Sequence, residues 1–112
     1  MAVFSKRLKE ARCEAGLSQE RLGVLAGIDE MSASARMNQY ERGKHEPDFS
    51  MVGRIARALN MPVSYFYAEN DEEAKLLTWF HRLGADEKEE LMRRVDLNQT
   101  ASKQGQKCPL FS

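Results

Sequence analysis

Apolar positions recur at helical spacing from the first residues of the chain onward. Phe4, Leu8, Ala11 and Ala15 repeat at i, i+4, i+7 and i+11, one stripe of a helix. Ser5 is a candidate N-cap for it, and Gly16 a C-terminal stop. Ser18 can cap a second helix whose buried face is Leu22, Leu25 and Ala26. A third helix, capped by Ser32 or Ser34, runs to about Arg42. Gly43 ends it and Pro47 forbids its continuation soon after. Asp48 or Ser50 can cap a fourth, with Val52, Ile55, Ala56 and Leu59 as its stripe. Asn60 can take the left-handed conformation that closes it. Pro62 suits the first turn of a short fifth helix ending near Tyr67, with Phe66 pointing inward. No stretch alternates with the period of a strand, so the pattern predicts an all-α chain.

Past the polar, acidic run 68–73, two more helices are expected. Leu76, Leu77, Phe80 and Leu83 make one stripe, stopped by Gly84. Asp86 with Glu89 resembles a capping box that opens a last helix with Leu91, Met92 and Val95 on one side. The expected organisation is therefore a compact domain at 1–67, a helical hairpin at 71–98 and a flexible polar tail at 99–112. The hairpin's apolar residues Leu76, Leu77, Phe80, Leu91 and Val95, with Trp79 adjacent, are more than two helices can hide alone. They are candidates for a dimer interface; the alternative is docking on the chain's own core.

Composition narrows the setting. The chain has 112 residues, 42% hydrophobic and 30% charged, which fits one globular domain with a small extension. No apolar run approaches the roughly 20 residues of a membrane span, and charges interrupt the N-terminal stripe, unlike a signal peptide. Cys13 and Cys108 suit neither a metal site nor a disulfide framework, which points to a reduced, cytoplasmic setting. Neither His45 nor His81 is accompanied by a positioned nucleophile, and no glycine-rich phosphate loop follows a strand. Catalysis has little support, and no metal or cofactor is expected.

The stretch 17–47 is the most informative. It reads as two short helices joined by a turn. Gly23 is the small residue a crossing helix needs, and Gly27 can adopt positive φ in the turn. On a wheel of the third helix, Ala33, Met37, Tyr40 and Glu41 fall on one side. Ala35, Gln39 and Arg42 fall on the other, flanked by Arg36 and Asn38. Gln and Asn side chains can pair with adenine and Arg with guanine. Ala35 can pack on a thymine methyl, or simply favour the helix. The bland alternative for the whole face is an ordinary solvated surface. Gln19, in the first turn of the second helix, can meet a phosphate. Arg42, Lys44 and His45 follow the reading helix, where a chain would graze the DNA backbone.

Formal net charge is +0, which argues mildly against nucleic acid. Its distribution matters more. Residues 1–47 carry eight Lys/Arg against seven Asp/Glu, and residues 48–98 seven against ten. A small basic face at Arg36, Arg42, Lys44 and His45 can act on nearby phosphates within a neutral chain.

The blocks LKEAR at 8–12, GLSQERL at 16–22, NQYERGKHEP at 38–47 and IARALN at 55–60 resemble the helix-turn-helix regulators of the lambda-repressor/Cro type (the XRE family). The resemblance covers residues 4–67. It implies five helices, with the second and third as the DNA-reading unit. It also implies a homodimer on a near-palindromic operator in double-stranded DNA; repression is the expected role, with activator and antitoxin-like roles open and the sign of regulation not given by the residues. It pairs Arg12 with Glu41 as a buried ion pair and makes Gln19, Ser34, Ala35, Arg36, Asn38, Gln39, Arg42, Lys44 and His45 the expected DNA contacts. The chain departs from the family in one place. The segment between Gly27 and Gly43 is a few residues longer, so that either the turn is extended or the third helix starts a turn early. The alternative from a different class is a protein-interaction module, antitoxin-like or partner-binding, with weak or no DNA binding. Neither an effector nor the operator sequence can be read from the residues.

Overall fold

The computed structural model describes residues 2–102. Every regular element among them is helical: α1 (Val3–Glu14), α2 (Gln19–Leu25), α3 (Glu30–Glu41), α4 (Phe49–Leu59), a short 3-10 helix (Val63–Tyr67), α5 (Asp71–Arg82) and α6 (Ala85–Ser102). The chain divides into two compact units after Arg82. The core of the first unit collects one stripe from each helix: Leu8 and Ala11, Leu22 and Ala26, Ala33 and Met37, Val52 and Ile55, closed by Phe66. Phe66 meets Phe4 at a ring-centroid distance of 5.5 Å and Tyr65 edge-on at 5.2 Å, both within the favourable aromatic range.

Helix ends follow from local hydrogen bonding, in places from residues other than the expected ones. The α1 N-cap is Ala2, and Ser5 lies inside the helix, buried. Its hydroxyl donates to the Tyr40 carbonyl oxygen at 2.8 Å, tying α1 to the end of α3. That long-range acceptor satisfies Ser5 and removes its reason to act as a cap. Ala15 is exposed at the C-cap, so the α1 stripe stops at Ala11. Ser18 caps α2 by accepting from Arg21 N–H at 3.0 Å. Leu25 points outward, and Gly23 takes the buried place expected of it.

α3 begins at Glu30 with Asp29 as its N-cap; the Asp29 carboxylate accepts from Met31 N–H at 3.0 Å. Ser32 and Ser34 are therefore helical residues rather than caps. Of the two explanations for the long segment after Gly27, the early helix start holds. Asp48 caps α4, and Asn60 closes it at φ 55.

α5 belongs to the first unit, so the expected domain boundary after Tyr67 falls inside that unit. Asn70 caps α5 by accepting from Glu73 N–H at 2.9 Å. Ala74 is buried in the core and Leu77 packs against it. An arginine holds each end. Arg7, buried on α1, donates through Nε to the Ala68 carbonyl at 2.8 Å and through Nη2 to that of Glu69 at 3.2 Å, and its Nη1 lies 2.9 Å from the Asp71 carboxylate. This contact holds the exposed Asp71 carboxyl below its ordinary pKa. At the other end Arg82 donates to the carbonyls of Asn60 at 3.0 Å and Leu59 at 3.2 Å, groups left open at the end of α4.

α6, in the second unit, opens on a different reciprocal contact from the expected Asp86/Glu89 pair. Glu87 reaches back to accept from Gly84 N–H at 3.0 Å. The helix runs to Ser102, so residues 99–102 of the expected tail are helical; residues 103–112 lie outside those described. No described helix is long and apolar enough to cross a membrane.

Among the described glycines, Gly23 at the crossing of α2 and α3 has the closest neighbours. A Cβ on Gly23 would lie 2.7 Å from Ala33 Cβ and 3.0 Å from the Ala33 carbonyl oxygen. The helix propensity that alanine would contribute, about 1 kcal/mol, is smaller than the about 1–3 kcal/mol that overpacking costs. Gly23→Ala should therefore lower the thermal midpoint. A midpoint equal to or above that of the parent protein would show that the crossing tolerates the methyl group.

Candidate nucleic-acid interface

The α2–α3 pair is built from its turn outward. At the end of α2, Gly27 takes φ +93, a conformation that a side chain disfavours. Its N–H donates to the Val24 carbonyl, and Ile28 N–H donates to that of Gly23, both at 2.9 Å. Ile28 then turns into the core and Asp29 starts α3. The chain thus changes direction within a few residues and lays α3 across Gly23.

The side of α3 facing the protein holds Ala33, Met37, Tyr40 and Glu41, all buried, the four residues that the helical wheel places together. Glu41 is only 5% exposed. Arg12 donates to both of its oxygens, Nε at 2.5 Å and Nη2 at 3.2 Å, while Arg12 Nη1 donates to the Leu17 carbonyl at 2.9 Å. Gln19 Nε2 adds a third donor to Glu41 at 3.1 Å. The carboxylate in turn keeps the Arg12 guanidinium protonated more firmly than an isolated one. The pair expected from the resemblance is thus present, with Gln19 as a third member. Gln19, expected as a phosphate contact, is half-buried with its amide nitrogen engaged at Glu41. No periodicity in the sequence could have joined residues 19 and 41.

The opposite side of α3 is open. Ser34, Ala35 and Arg36 are exposed, Asn38 and Gln39 half-buried, and Arg42, the C-cap residue, exposed. Past it, Gly43 at φ +75 folds the chain back. Gly43 N–H donates to the Tyr40 carbonyl at 3.2 Å and Lys44 N–H to that of Gln39 at 2.9 Å, the paired closure of a Schellman motif. Lys44 and His45, both exposed, are thereby held at the end of α3. The structure brings together Ser34, Ala35, Arg36, Asn38, Gln39 and Arg42 on one short helix with Lys44 and His45 just beyond it. The exposed face begins earlier than the sequence suggests, since Glu30, Met31 and Ser32 are exposed in the added first turn.

The expected interface residues in the C-terminal part divide. Leu77 is partly buried and packs on the core of its own unit, and Phe80 is half-buried. Leu76 and Trp79 remain 55% and 63% exposed on α5. In the second unit Leu91 is half-buried on α6 and Val95 exposed.

A capped short helix, a turn through a left-handed glycine and a longer helix anchored on one face and polar on the other define a helix-turn-helix unit. The Helix-turn-helix family profile matches residues 8–66, more than half of the chain, and the chain belongs to that family. It is 33% identical over 63 residues to an uncharacterized HTH-type transcriptional regulator of Sinorhizobium medicae (strain WSM419) and, to the same extent, to one of Rhizobium meliloti (strain 1021). Each match takes in 56% of this chain but 42% of the relative, so the similarity spans less than half the length of those proteins. The crystal structure of the transcriptional regulator BswR is similar at a TM-score of 0.81 and 44% identity, over 90% of this chain and 98% of that one. These relationships support DNA binding and transcription regulation as the broad role.

The Arg12–Glu41–Gln19 group should matter to stability. Glu41→Ala would leave the Arg12 guanidinium without its carboxylate in a largely enclosed position, at a cost of about 3–5 kcal/mol. Thermal unfolding should show a clear fall in the midpoint. An unchanged midpoint would mean that water replaces the carboxylate at no cost.

Proposed function

We propose that the protein binds double-stranded DNA sequence-specifically as a homodimer on a near-palindromic operator and represses transcription by occupying it. The observation that carries this reading is the two-sidedness of α3: one face fixed by Ala33, Met37, Tyr40 and the Glu41 ion pair, the other presenting Gln39, Asn38, Arg36 and Arg42. Gln39 and Arg36 are the base-reading residues, since both carry the paired hydrogen-bonding groups that distinguish adenine or guanine in the major groove. Ala35 and Asn38 line the same approach, while Ser34, about 140° from Gln39 around the axis, lies on the flank nearer Glu41. Arg42, Lys44 and His45 are backbone anchors, because they lie at or beyond the end of the helix and offer charge without a fixed aim at base edges. Gln19 can donate to a phosphate through the second N–H of its amide nitrogen while the first stays on Glu41.

A helix of twelve residues is about 18 Å long and reads only a few base pairs. Specificity then calls for two copies on half-sites about 34 Å apart. The exposed Leu76 and Trp79 on α5, and Leu91 and Val95 on α6, are the apolar residues proposed to hold two protomers together, each surface within its own unit. Trp79→Asp and Val95→Asp, made separately, should shift sedimentation toward the monomer in whichever case the altered surface is the interface. A dimer unaffected by both would remove the C-terminal helices from the contact.

Selection of bound sites from random duplexes with the full chain tests the whole reading. A recovered palindrome, with affinity falling steeply as salt rises, supports it. No binding even at low salt would favour a protein-interaction module instead. Two variants separate readers from anchors. Gln39→Ala should relax the preference at one position per half-site, at about 1–3 kcal/mol. Lys44→Ala should weaken all sequences alike and reduce the salt slope by about 0.9. Identical behaviour of the two on matched and mismatched operators would refute this division of roles.

A further inference from the structure

The added first turn of α3 carries a residue that none of the roles above uses. Met31 is 92% exposed, the most exposed large apolar side chain among the described residues. Its position on the helix is specific. With 3.6 residues per turn, Ser32 lies within about 20° of Gln39 around the axis and Met31 within about 80°, on the flank shared with Arg42. The stripe of Gln39, Ala35 and Arg42 therefore continues through Ser32 and Met31 to the start of the helix. Glu30 falls on the far side, about 180° from Gln39, so the acidic residue of this turn points away from that stripe. Along the axis, Met31 lies about 6 Å beyond Ala35, close to two base-pair steps of about 3.4 Å.

The chemistry of this turn disfavours a phosphate contact. The Asp29 carboxylate already accepts from Met31 N–H, so a backbone donor at this helix end is engaged and a negative charge is fixed there. Met31 itself carries no charge. An uncharged, polarizable thioether on the reading side of a helix suits the one apolar group of the major groove, the thymine 5-methyl.

We propose that Met31 is a specificity-determining residue that packs against the methyl group of a thymine at the edge of each half-site, so that the longer α3 reads further than Gln39 and Ala35 reach. Ser32, adjacent on the stripe, faces the neighbouring base pair. This inference rests on the DNA-binding reading and would fail with it, but it can also fail alone.

The experiment uses the full chain and its selected operator. At the thymine attributed to Met31, deoxyuridine, which lacks only the methyl group, replaces thymidine. One buried methyl is worth about a fourfold change in affinity, so the parent protein should bind the uracil operator about fourfold more weakly. Met31→Ala should bind thymine and uracil operators equally, with its preference at that position lost, its salt slope unchanged and its thermal midpoint that of the parent. Met31→Leu should restore part of the preference. If sites are selected but Met31→Ala returns the parent's preferences at every position, or still distinguishes thymine from uracil there, the inference is overturned while the DNA-binding reading stands. If no sequence is selected at all, both fall.

Discussion

Glu41 places a carboxylate on the buried side of α3, and the attitude of that helix depends on how the charge is met. An isolated carboxylate there would be too costly to keep. The bidentate fork from Arg12, with the third donor from Gln19, makes it tolerable only in one arrangement. Because Arg12 belongs to α1 and Gln19 to α2, a single carboxylate fixes α3 against both preceding helices at once. Arg12 also holds the Leu17 carbonyl, so the connection between α1 and α2 is drawn into the same set of bonds. Apolar contacts through Met37 and Tyr40 supply adhesion, but they would accept small rotations of α3. Directional bonds to a charge accept far less. A helix whose outer residues must meet a fixed pattern of groups benefits from that restriction, since a small rotation would carry Gln39 and Arg36 away from their positions together.

The other end of α3 is fixed sterically. Gly23 lets Ala33 approach to a distance at which any side chain at that position would collide. Asp29 sets where the helix begins. Polar anchoring near the C-terminus and close packing near the N-terminus leave the outer face without structural duties. That freedom is why its residues can be chosen for what they bind.

Much of this was legible in the residues. The wheel separated buried from open positions on α3 because period 3.6 is a property of the helix and needs no tertiary information. Gly27, Gly43, Asp48 and Asn60 were readable because backbone conformation and capping are local. What could not be read was long-range or ambiguous between neighbours. Ser5 had the chemistry of a cap, and only the Tyr40 carbonyl, far along the chain, drew it into the helix. Ser32 and Ser34 have the chemistry expected of the α3 cap, and Asp29, before them in the chain, takes that place instead. The spacing of their apolar residues groups α5 with α6 as a hairpin. The bonds of Arg7 and Arg82 to backbone carbonyls, invisible to any periodicity, place α5 with the first unit. Its helix end alone makes Gln19 a candidate phosphate contact, and its bond to Glu41 gives it a structural task as well.

The charge balance follows the same division of labour. A chain of zero formal net charge has little long-range attraction for a polyanion, so its field must be local to act. Several cations in the first unit are committed to protein groups: Arg7 to the start of α5, Arg12 to Glu41 and Arg82 to the end of α4. Counting charges over the chain therefore misjudges what is offered outward. Arg36, Arg42, Lys44 and His45 are exposed on one helix and the turn that follows it, and the Gly43 closure holds the last two where the helix ends. A compact basic group of this kind interacts over about a Debye length, roughly 8–10 Å at ordinary ionic strength. That range covers the phosphates flanking a groove and little more. On the proposed reading, such a surface adds less to non-specific attraction than a strongly basic one and leaves a larger share of the discrimination to the side chains proposed to face the bases.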